Sequence, residues 1–175
     1  MSKKARSPQF NHVALSLPAE ALDEAGRAAI CDFYGEVFGF EELPTMTLDR
    51  ERLILKAWTY EQFIYLIADE SPMQAPRLDH FGFGVGTLAE FDDLYTRAKG
   101  YRAKDERVDL IERDVDDYGG LKIHNFYVGF LLPLMVEIQH WEFVPHEAIV
   151  DPGTATVSEG DPAEGAADAD PVPTP

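Results

Sequence analysis

Three short, strand-like segments each carry one side chain that can bind a metal ion: His12, His80 and Glu137. Two imidazoles and one carboxylate form a donor set that suits a divalent metal with open coordination positions. Such a metal binds through neutral histidine nitrogens and an ionised carboxylate. The three residues therefore predict a metal centre that leaves room for a substrate, dioxygen or water.

The strand predicted around His80 has glycines on the same face as the imidazole. Because strands alternate faces with period 2, His80 shares its face with Gly82, Gly84 and Gly86. Glycine inside a strand costs stability and often marks the close approach of a ligand or another backbone. His12 also shares its face with small residues. Both histidines are therefore predicted to face a cavity.

Glu137 lies in an apolar segment, where an unpaired buried carboxylate would be costly and a bound metal would remove that cost. Taken singly, a histidine in a strand is more typical of a hydrogen-bonded structural residue. A single glutamate in a strand more often faces solvent. The matched positions of the three residues in a repeated pattern favour the metal site over these structural roles.

The order of predicted elements occurs twice. In the first half a strand, a helix and three strands are predicted at 10–17, about 21–38, 42–48, 52–60 and 62–69. After a linker, the second half repeats this order at 78–85, about 88–99, 107–114, 121–130 and 134–143. Gly39 and Gly100 are predicted to end the helices. The histidines then occupy equivalent strands, and Tyr65 is the counterpart of Glu137.

Charge and composition argue against several classes of protein. A formal net charge of -17 disfavours nucleic acid and anionic membrane surfaces as partners. No apolar run approaches the roughly 20 residues that span a bilayer, and the basic N-terminus lacks the apolar segment of a secretory signal. The single Cys31 cannot form an internal disulfide, which fits a reducing compartment. We therefore expect a cytoplasmic protein.

The chain is predicted to hold one folded domain with loose ends. Residues 1–8 are predicted to be a flexible arm, and 9–150 a single domain with modules at about 9–70 and 77–145. Residues 151–175 contain acidic residues and prolines without Lys, Arg or aromatic residues. Such a composition predicts a disordered acidic tail.

Four segments carry a resemblance to a known family. They read FNHVALSL at 10–17, DFYGEVFGF at 32–40, LDHFGFGV at 78–85 and VEI at 136–138. Together they resemble motifs of the vicinal oxygen chelate (VOC) superfamily, which includes glyoxalases, bleomycin resistance proteins, fosfomycin-resistance enzymes and extradiol dioxygenases. The resemblance extends over about 10–143.

The resemblance implies an α+β fold of two tandem βαβββ modules, whose curled mixed sheets form a metal-binding cup. It implies His12, His80 and Glu137 as ligands of a divalent metal ion, with Fe(II) favoured and Mn, Ni, Zn or Co as alternatives. Tyr65 stands where members with four protein ligands place a carboxylate or amide, which argues against a glyoxalase-type site. Since modules of this family often pair between subunits and open sheet edges need covering, the resemblance implies a homodimer.

The expected function is that of a metal-dependent, dioxygenase-like oxidoreductase. Its expected substrate is a small oxygenated compound, with aromatic compounds included. The alternatives are a glyoxalase-type isomerase or lyase, a fosfomycin-resistance-like transferase, and a metal-free protein that sequesters a drug or metabolite. Tyr127 and His124 are the candidates for proton exchange with the substrate. The candidate pocket residues, which are otherwise ordinary core residues, are Tyr65, Phe81, Phe126 and Trp141.

Overall fold

The structure is a computed structural model that describes residues 9–143. The predicted arm at 1–8 and the predicted tail at 151–175 lie outside the described residues. In chain order the elements are β1 (His12–Leu17), a 3-10 turn (Ala19–Leu22), α1 (Glu24–Phe38), β2 (Glu41–Glu42), β3 (Arg52–Lys56), β4 (Phe63–Ala68), β5 (His80–Val85), α2 (Leu88–Arg102), β6 (Asp109–Asp117), β7 (Leu121–Gly129) and β8 (Met135–Phe143).

Each half of the chain forms its own four-stranded mixed sheet. The strand orders are β1-β4-β3-β2 and β5-β8-β7-β6. In each sheet the first and last strands of the half pair in parallel, and the remaining pairs are antiparallel. The predicted α+β class with two βαβββ modules is confirmed, although the sheets are open. We call β1–β4 with α1 the first module and β5–β8 with α2 the second module.

Side chains at the helix ends fix where each helix begins. Asp23 accepts a hydrogen bond from the backbone N–H of Gly26 at 2.9 Å, so α1 begins after a separate 3-10 turn rather than near residue 21. Gly39 ends α1 in the left-handed conformation, at φ 74°. Thr87 and Glu90 form the reciprocal capping box that begins α2.

Several other predicted boundaries also differ from the structure, among them those of β3, predicted at 52–60, and β6, predicted at 107–114. Helix α2 continues through Gly100 to Arg102, because Tyr101 packs its ring against Phe33 at 5.0 Å between centroids. This packing outweighs the low helix propensity of glycine. The strand predicted at 42–48 is only two residues long, since the chain then turns back and Thr47 donates its backbone N–H to the carbonyl of Leu43.

One face of each sheet packs against the helices and forms the core. Phe33 of α1 stacks on Phe130 at 4.6 Å, and the buried Tyr34 hydroxyl donates to the Phe130 carbonyl at 3.3 Å. Burial raises the pKa of Tyr34 well above its usual range. These contacts join the first module to the second. No helix within residues 9–143 is long and apolar enough to cross a membrane.

The other face of each sheet is turned away from the helices, and we call it the helix-free face. Along β1, Leu15 and Leu17 enter the core, so His12 points to the helix-free face of the first sheet. Along β8, Val136 and Ile138 enter the core, so Glu137 points to the helix-free face of the second sheet. Each half therefore presents its candidate ligands on the helix-free face of its own sheet.

Candidate metal centre

His80 and Glu137 meet on the helix-free face of the second sheet. Strands β5 and β8 are parallel neighbours, and their register places Gly82 opposite Glu137. The Glu137 carboxylate lies beside Gly82 and is 3.3 Å from His80, measured between Oε2 and Nε2. A Cβ at position 82 would lie 3.4 Å from that same oxygen, at the limit of ordinary contact. Gly82 therefore lies directly beside the carboxylate and leaves its surroundings uncrowded.

The tautomer of His80 follows from the hydrogen bond that its Nδ1 makes. Nδ1 lies 2.8 Å from the carbonyl oxygen of Leu78. A carbonyl can only accept a hydrogen bond, so Nδ1 carries a proton. In the neutral ring Nε2 then presents a lone pair to the Glu137 carboxylate. Two acceptors then face each other at 3.3 Å, an arrangement that a cation held between them would stabilise.

The pair has the properties of two ligands of one divalent ion. Donor atoms that are each about 2.1 Å from an ion are about 3 to 3.5 Å apart at neighbouring coordination positions. Glu137 is only 6% exposed. Within residues 9–143, no Lys or Arg side chain forms an ion pair with it. A buried carboxylate in this situation is stabilised by a bound cation.

Tyr127 completes this group from the neighbouring strand β7. Its register position is directly opposite Glu137, and its ring lies edge-on to His80 at 5.0 Å between centroids. Burial, followed by the adjacent Glu137 carboxylate, raises the pKa of Tyr127 to about 12. Tyr127, one of the two candidates for proton exchange, therefore lies beside the His80–Glu137 pair.

His12 does not join this pair within the single chain. It is exposed on the first sheet, its ring stacks on Phe63 at 4.9 Å, and Nδ1 lies 2.7 Å from Oδ1 of Asn11. Across residues 9–143, no three His, Cys, Asp or Glu side chains are close enough to hold a metal ion together. The structure thus brings together two members of the predicted triad and separates the third.

Comparisons with known proteins give the fold a name. No family model and no curated protein matches this sequence. Among solved structures, lactoylglutathione lyase from Agrobacterium tumefaciens matches with TM-score 0.54 and 18% identity, over 78% of this chain and 96% of that one. The fosfomycin resistance protein FosX from Listeria monocytogenes matches with TM-score 0.53 and 14% identity, over 77% and 94%. The chain has the VOC fold.

The two VOC modules place Tyr65 and Glu137 at equivalent positions. Tyr65 lies opposite Ala14 on the parallel neighbour strand, as Glu137 lies opposite Gly82. Ile54 stands beside Tyr65 where Tyr127 stands beside Glu137. The first module therefore carries a histidine and a phenol on its helix-free face, and the second carries a histidine and a carboxylate.

Two of the predicted site residues lie on the opposite side of the second VOC sheet. His124 contacts Glu142 at 2.9 Å, measured from Nε2 to Oε2, and its ring lies 6.0 Å from that of Phe91. Phe126 is fully buried against Phe91 of α2. Side chains alternate between the two faces along β7, and Tyr127 points to the helix-free face. His124 and Phe126 therefore point to the face that packs against the helix. His124 is not placed to exchange a proton with a group held by the pair, and Phe126 is a core residue.

The remaining predicted residues have separate positions. Trp141 lies on the helix-free face of β8, half exposed, and donates Nε1–H to Oε1 of Gln139 at 2.8 Å. Phe81 packs toward the core and lines a cleft of about 460 Å³ between the edge strands β1 and β5. We call this the inter-module cleft.

A buried amide near Tyr127 was not predicted. Asn125 is 6% exposed and donates Nδ2–H to Oδ2 of Asp116 at 2.8 Å. Alternation along β7 puts Asn125 on the same face as Tyr127, and this signal is present in the sequence. Asn125 therefore extends the polar surface of the helix-free face beyond the His80–Glu137 pair.

Proposed function

We propose that the chain is a metal-dependent enzyme that acts on a small oxygenated compound, with His80 and Glu137 as ligands of a divalent ion. The observation that carries this proposal is the 3.3 Å contact between His80 Nε2 and the buried Glu137 carboxylate, which forms no ion pair with a Lys or Arg side chain among residues 9–143. A bound divalent ion would act there as a Lewis acid toward oxygen atoms of the substrate.

The protein's own groups have distinct tasks in this proposal. The Leu78 carbonyl fixes the orientation and tautomer of His80, as hydrogen-bonded neighbours commonly do for ligating histidines. The Tyr127 hydroxyl lies beside the carboxylate, where it can donate a hydrogen bond to a substrate oxygen. Gly82 and Gly84 leave the strand next to His80 free of side chains, which gives a substrate access to the pair.

We further propose that the third ligand is His12 of a second copy of this chain. In one chain His12 lies on the helix-free face of the first sheet, and the pair lies on that of the second. A homodimer in which the first sheet of each chain faces the second sheet of the other, through their helix-free faces, would form two identical sites. Apolar side chains exposed on these faces, Ile67 at 39% and Trp141 at 49%, would also be covered.

Dioxygenase-like chemistry with Fe(II) is the reaction we favour, because three protein ligands leave positions open for both substrate and dioxygen. Tyr65 at the position equivalent to Glu137 supports a three-ligand site over a four-ligand one. An isomerase, lyase or transferase that uses Mn, Ni, Zn or Co is the second choice. FosX and lactoylglutathione lyase, which share the fold, are named for activities outside oxygen chemistry.

The test is metal content after reconstitution with Fe(II), Mn, Ni, Zn or Co, measured by mass spectrometry. We expect about one ion per chain in the wild type and loss of that ion in His80→Ala and Glu137→Gln. His140→Ala and Glu142→Gln are matched controls from the opposite face of β8 and should keep it. Absence of bound metal under all five conditions would refute the proposal and favour a metal-free sequestering protein.

Subunit mixing tests the position of the third ligand. His12→Ala and Glu137→Ala should each bind no metal alone. When the two variants are unfolded, mixed and refolded together, half of the dimers are mixed and each carries one intact site. Recovery of about a quarter of the wild-type metal would support the shared site. Recovery of none, or a monomer by light scattering, would contradict it.

A further inference from the structure

The inter-module cleft is lined by neither His80 nor Glu137, although it reaches Gly82 and Gly84 of the strand that carries His80, and it has an unusual composition. Strands β1 and β5 are both edge strands of their sheets, and the cleft separates them. None of its sixteen lining residues is charged, although 27% of the chain is Asp, Glu, Lys or Arg. Seven of them are aromatic, among them Phe10, Phe40, Trp58 and Phe63. The two modules thus line a single apolar space with rings from both sides.

We propose that the inter-module cleft is a binding site for an uncharged, planar aromatic small molecule. Its volume of about 460 Å³ falls within the roughly 300 to 1,000 Å³ of small-molecule pockets. Flat ligands are bound well by offset and edge-to-face contacts with aromatic walls. The proposal concerns binding in the cleft and is independent of whether His80 and Glu137 hold a metal.

The aromatic residues at the mouth of the cleft are held away from the core. Phe10 is 76% exposed and Trp58 is 81% exposed, so large apolar surfaces remain in water when the cleft is empty. Burying such apolar surface is favourable. A ligand lying between these rings would cover them without any rearrangement of the buried core.

Polar groups in the cleft are few and neutral. Asn11 and Gln62 are the two amide side chains among its lining residues. Oε1 of Gln62 is buried and finds no hydrogen-bond donor within residues 9–143. A buried acceptor without a partner is unfavourable. A hydroxyl or N–H on the bound molecule would supply the missing donor, so the favoured ligand carries one such group.

Charge also selects against ionised ligands. An anion entering the cleft would meet no cationic side chain there and would approach a chain with net charge -17. A cation would be attracted to the protein surface, but it would lose its hydration in a cleft without a carboxylate. The uncharged walls and the two amides therefore favour a neutral aromatic ligand, and the net charge further disfavours an anion.

The experiment is titration calorimetry of the metal-free protein with 2-naphthol, 2-naphthoate and cyclohexanol. We expect 2-naphthol to bind at least tenfold more tightly than either comparison compound. Trp58→Ala and Phe10→Ala should each weaken 2-naphthol binding by about fivefold or more, and both residues are too exposed for their loss to prevent folding. Tyr60→Ala and Phe143→Ala, at exposed aromatic residues outside the cleft, should leave the affinity unchanged.

Three results would overturn the proposal. They are equal affinity for 2-naphthol and 2-naphthoate, equal losses in the cleft and control variants, and no heat of binding for any probe. If Trp58→Ala and Phe10→Ala instead weaken self-association in light scattering, the cleft is covered by a second copy and not by a small molecule. Glu137→Gln should bind 2-naphthol like the wild type, so this proposal and the metal site can fail separately.

Discussion

Tyr65 of the first module occupies the position that Glu137 occupies in the second. Each lies on the strand that pairs in parallel with the first strand of its module, opposite a residue with a small side chain or none, Ala14 or Gly82. The two modules are therefore alike in topology and unlike in donor atoms.

Replacing Tyr65 by glutamate should add a ligand to the proposed shared site. A carboxylate at the position equivalent to Glu137 would raise the affinity for a divalent ion about tenfold or more, measured by competition with a chelator. Ile67→Glu adds the same charge two residues along the same strand and face, and should change the affinity much less. Equal effects of the two variants would indicate general electrostatic attraction only.

Metal binding should stabilise the wild type but not Glu137→Gln. A ligand at about one hundred times its Kd adds about 2.7 kcal/mol to the free energy of unfolding, which corresponds to a rise in Tm of roughly 5 to 10 °C. Scanning calorimetry with and without the ion measures this rise. Glu142→Gln removes a carboxylate from the same strand, where it pairs with His124, and should retain the full rise.

Iodoacetamide should alkylate Cys31 slowly, and the rate should rise only in strong base. Burial, and after it the neighbouring Glu42 and Asp32, raise the pKa of the Cys31 thiol from 9.0 to about 11. At pH 8 its thiolate fraction is therefore about one hundredfold lower than that of an unperturbed thiol. Alkylation followed by mass spectrometry should show Glu42→Gln reacting severalfold faster and Glu41→Gln, which loses its contact with Lys56, unchanged.

The same shift gives a pH dependence of stability. The folded state keeps the Cys31 proton to a higher pH than the unfolded chain does. The resulting contribution to stability is complete below about pH 9 and is lost as the pH rises toward 11. Urea unfolding of Cys31→Ala should lack this component of the decline, and a decline identical to that of the wild type would contradict the assignment.

Phe33 should contribute far more than the Tyr34 hydroxyl to holding the modules together. Phe33 is fully buried and stacks on Phe130, so Phe33→Ala should cost about 3 to 5 kcal/mol. Tyr34→Phe loses one hydrogen bond to a carbonyl and should cost about 1 kcal/mol. Urea denaturation measures both, and Phe143→Ala at an exposed position should be close to neutral. A larger loss in Tyr34→Phe would reverse this ranking.

The repeat and the alternation of side chains made much of the site predictable. They correctly placed His80 and the glycines on one face and matched Tyr65 with Glu137. Parity along β7 would also have separated His124 from Tyr127, because residues three apart in a strand point to opposite faces. The separation of His12 was not predictable in this way. It depends on how α1, α2 and Phe130 pack the modules together, and such packing leaves no periodic signal in the sequence.

The strands that carry His80 and Glu137 differ in their number of neighbouring strands. Glu137 lies in β8, which has a neighbour on each side, whereas His80 is the first residue of β5, whose only partner in the described sheet is β8. Edge strands open locally at a lower free energy than strands in the middle of a sheet. An ion bound by both side chains would therefore be released when β5 opens locally. Its residence time would be set by this local opening, and hydrogen exchange at the β5 amides would report it.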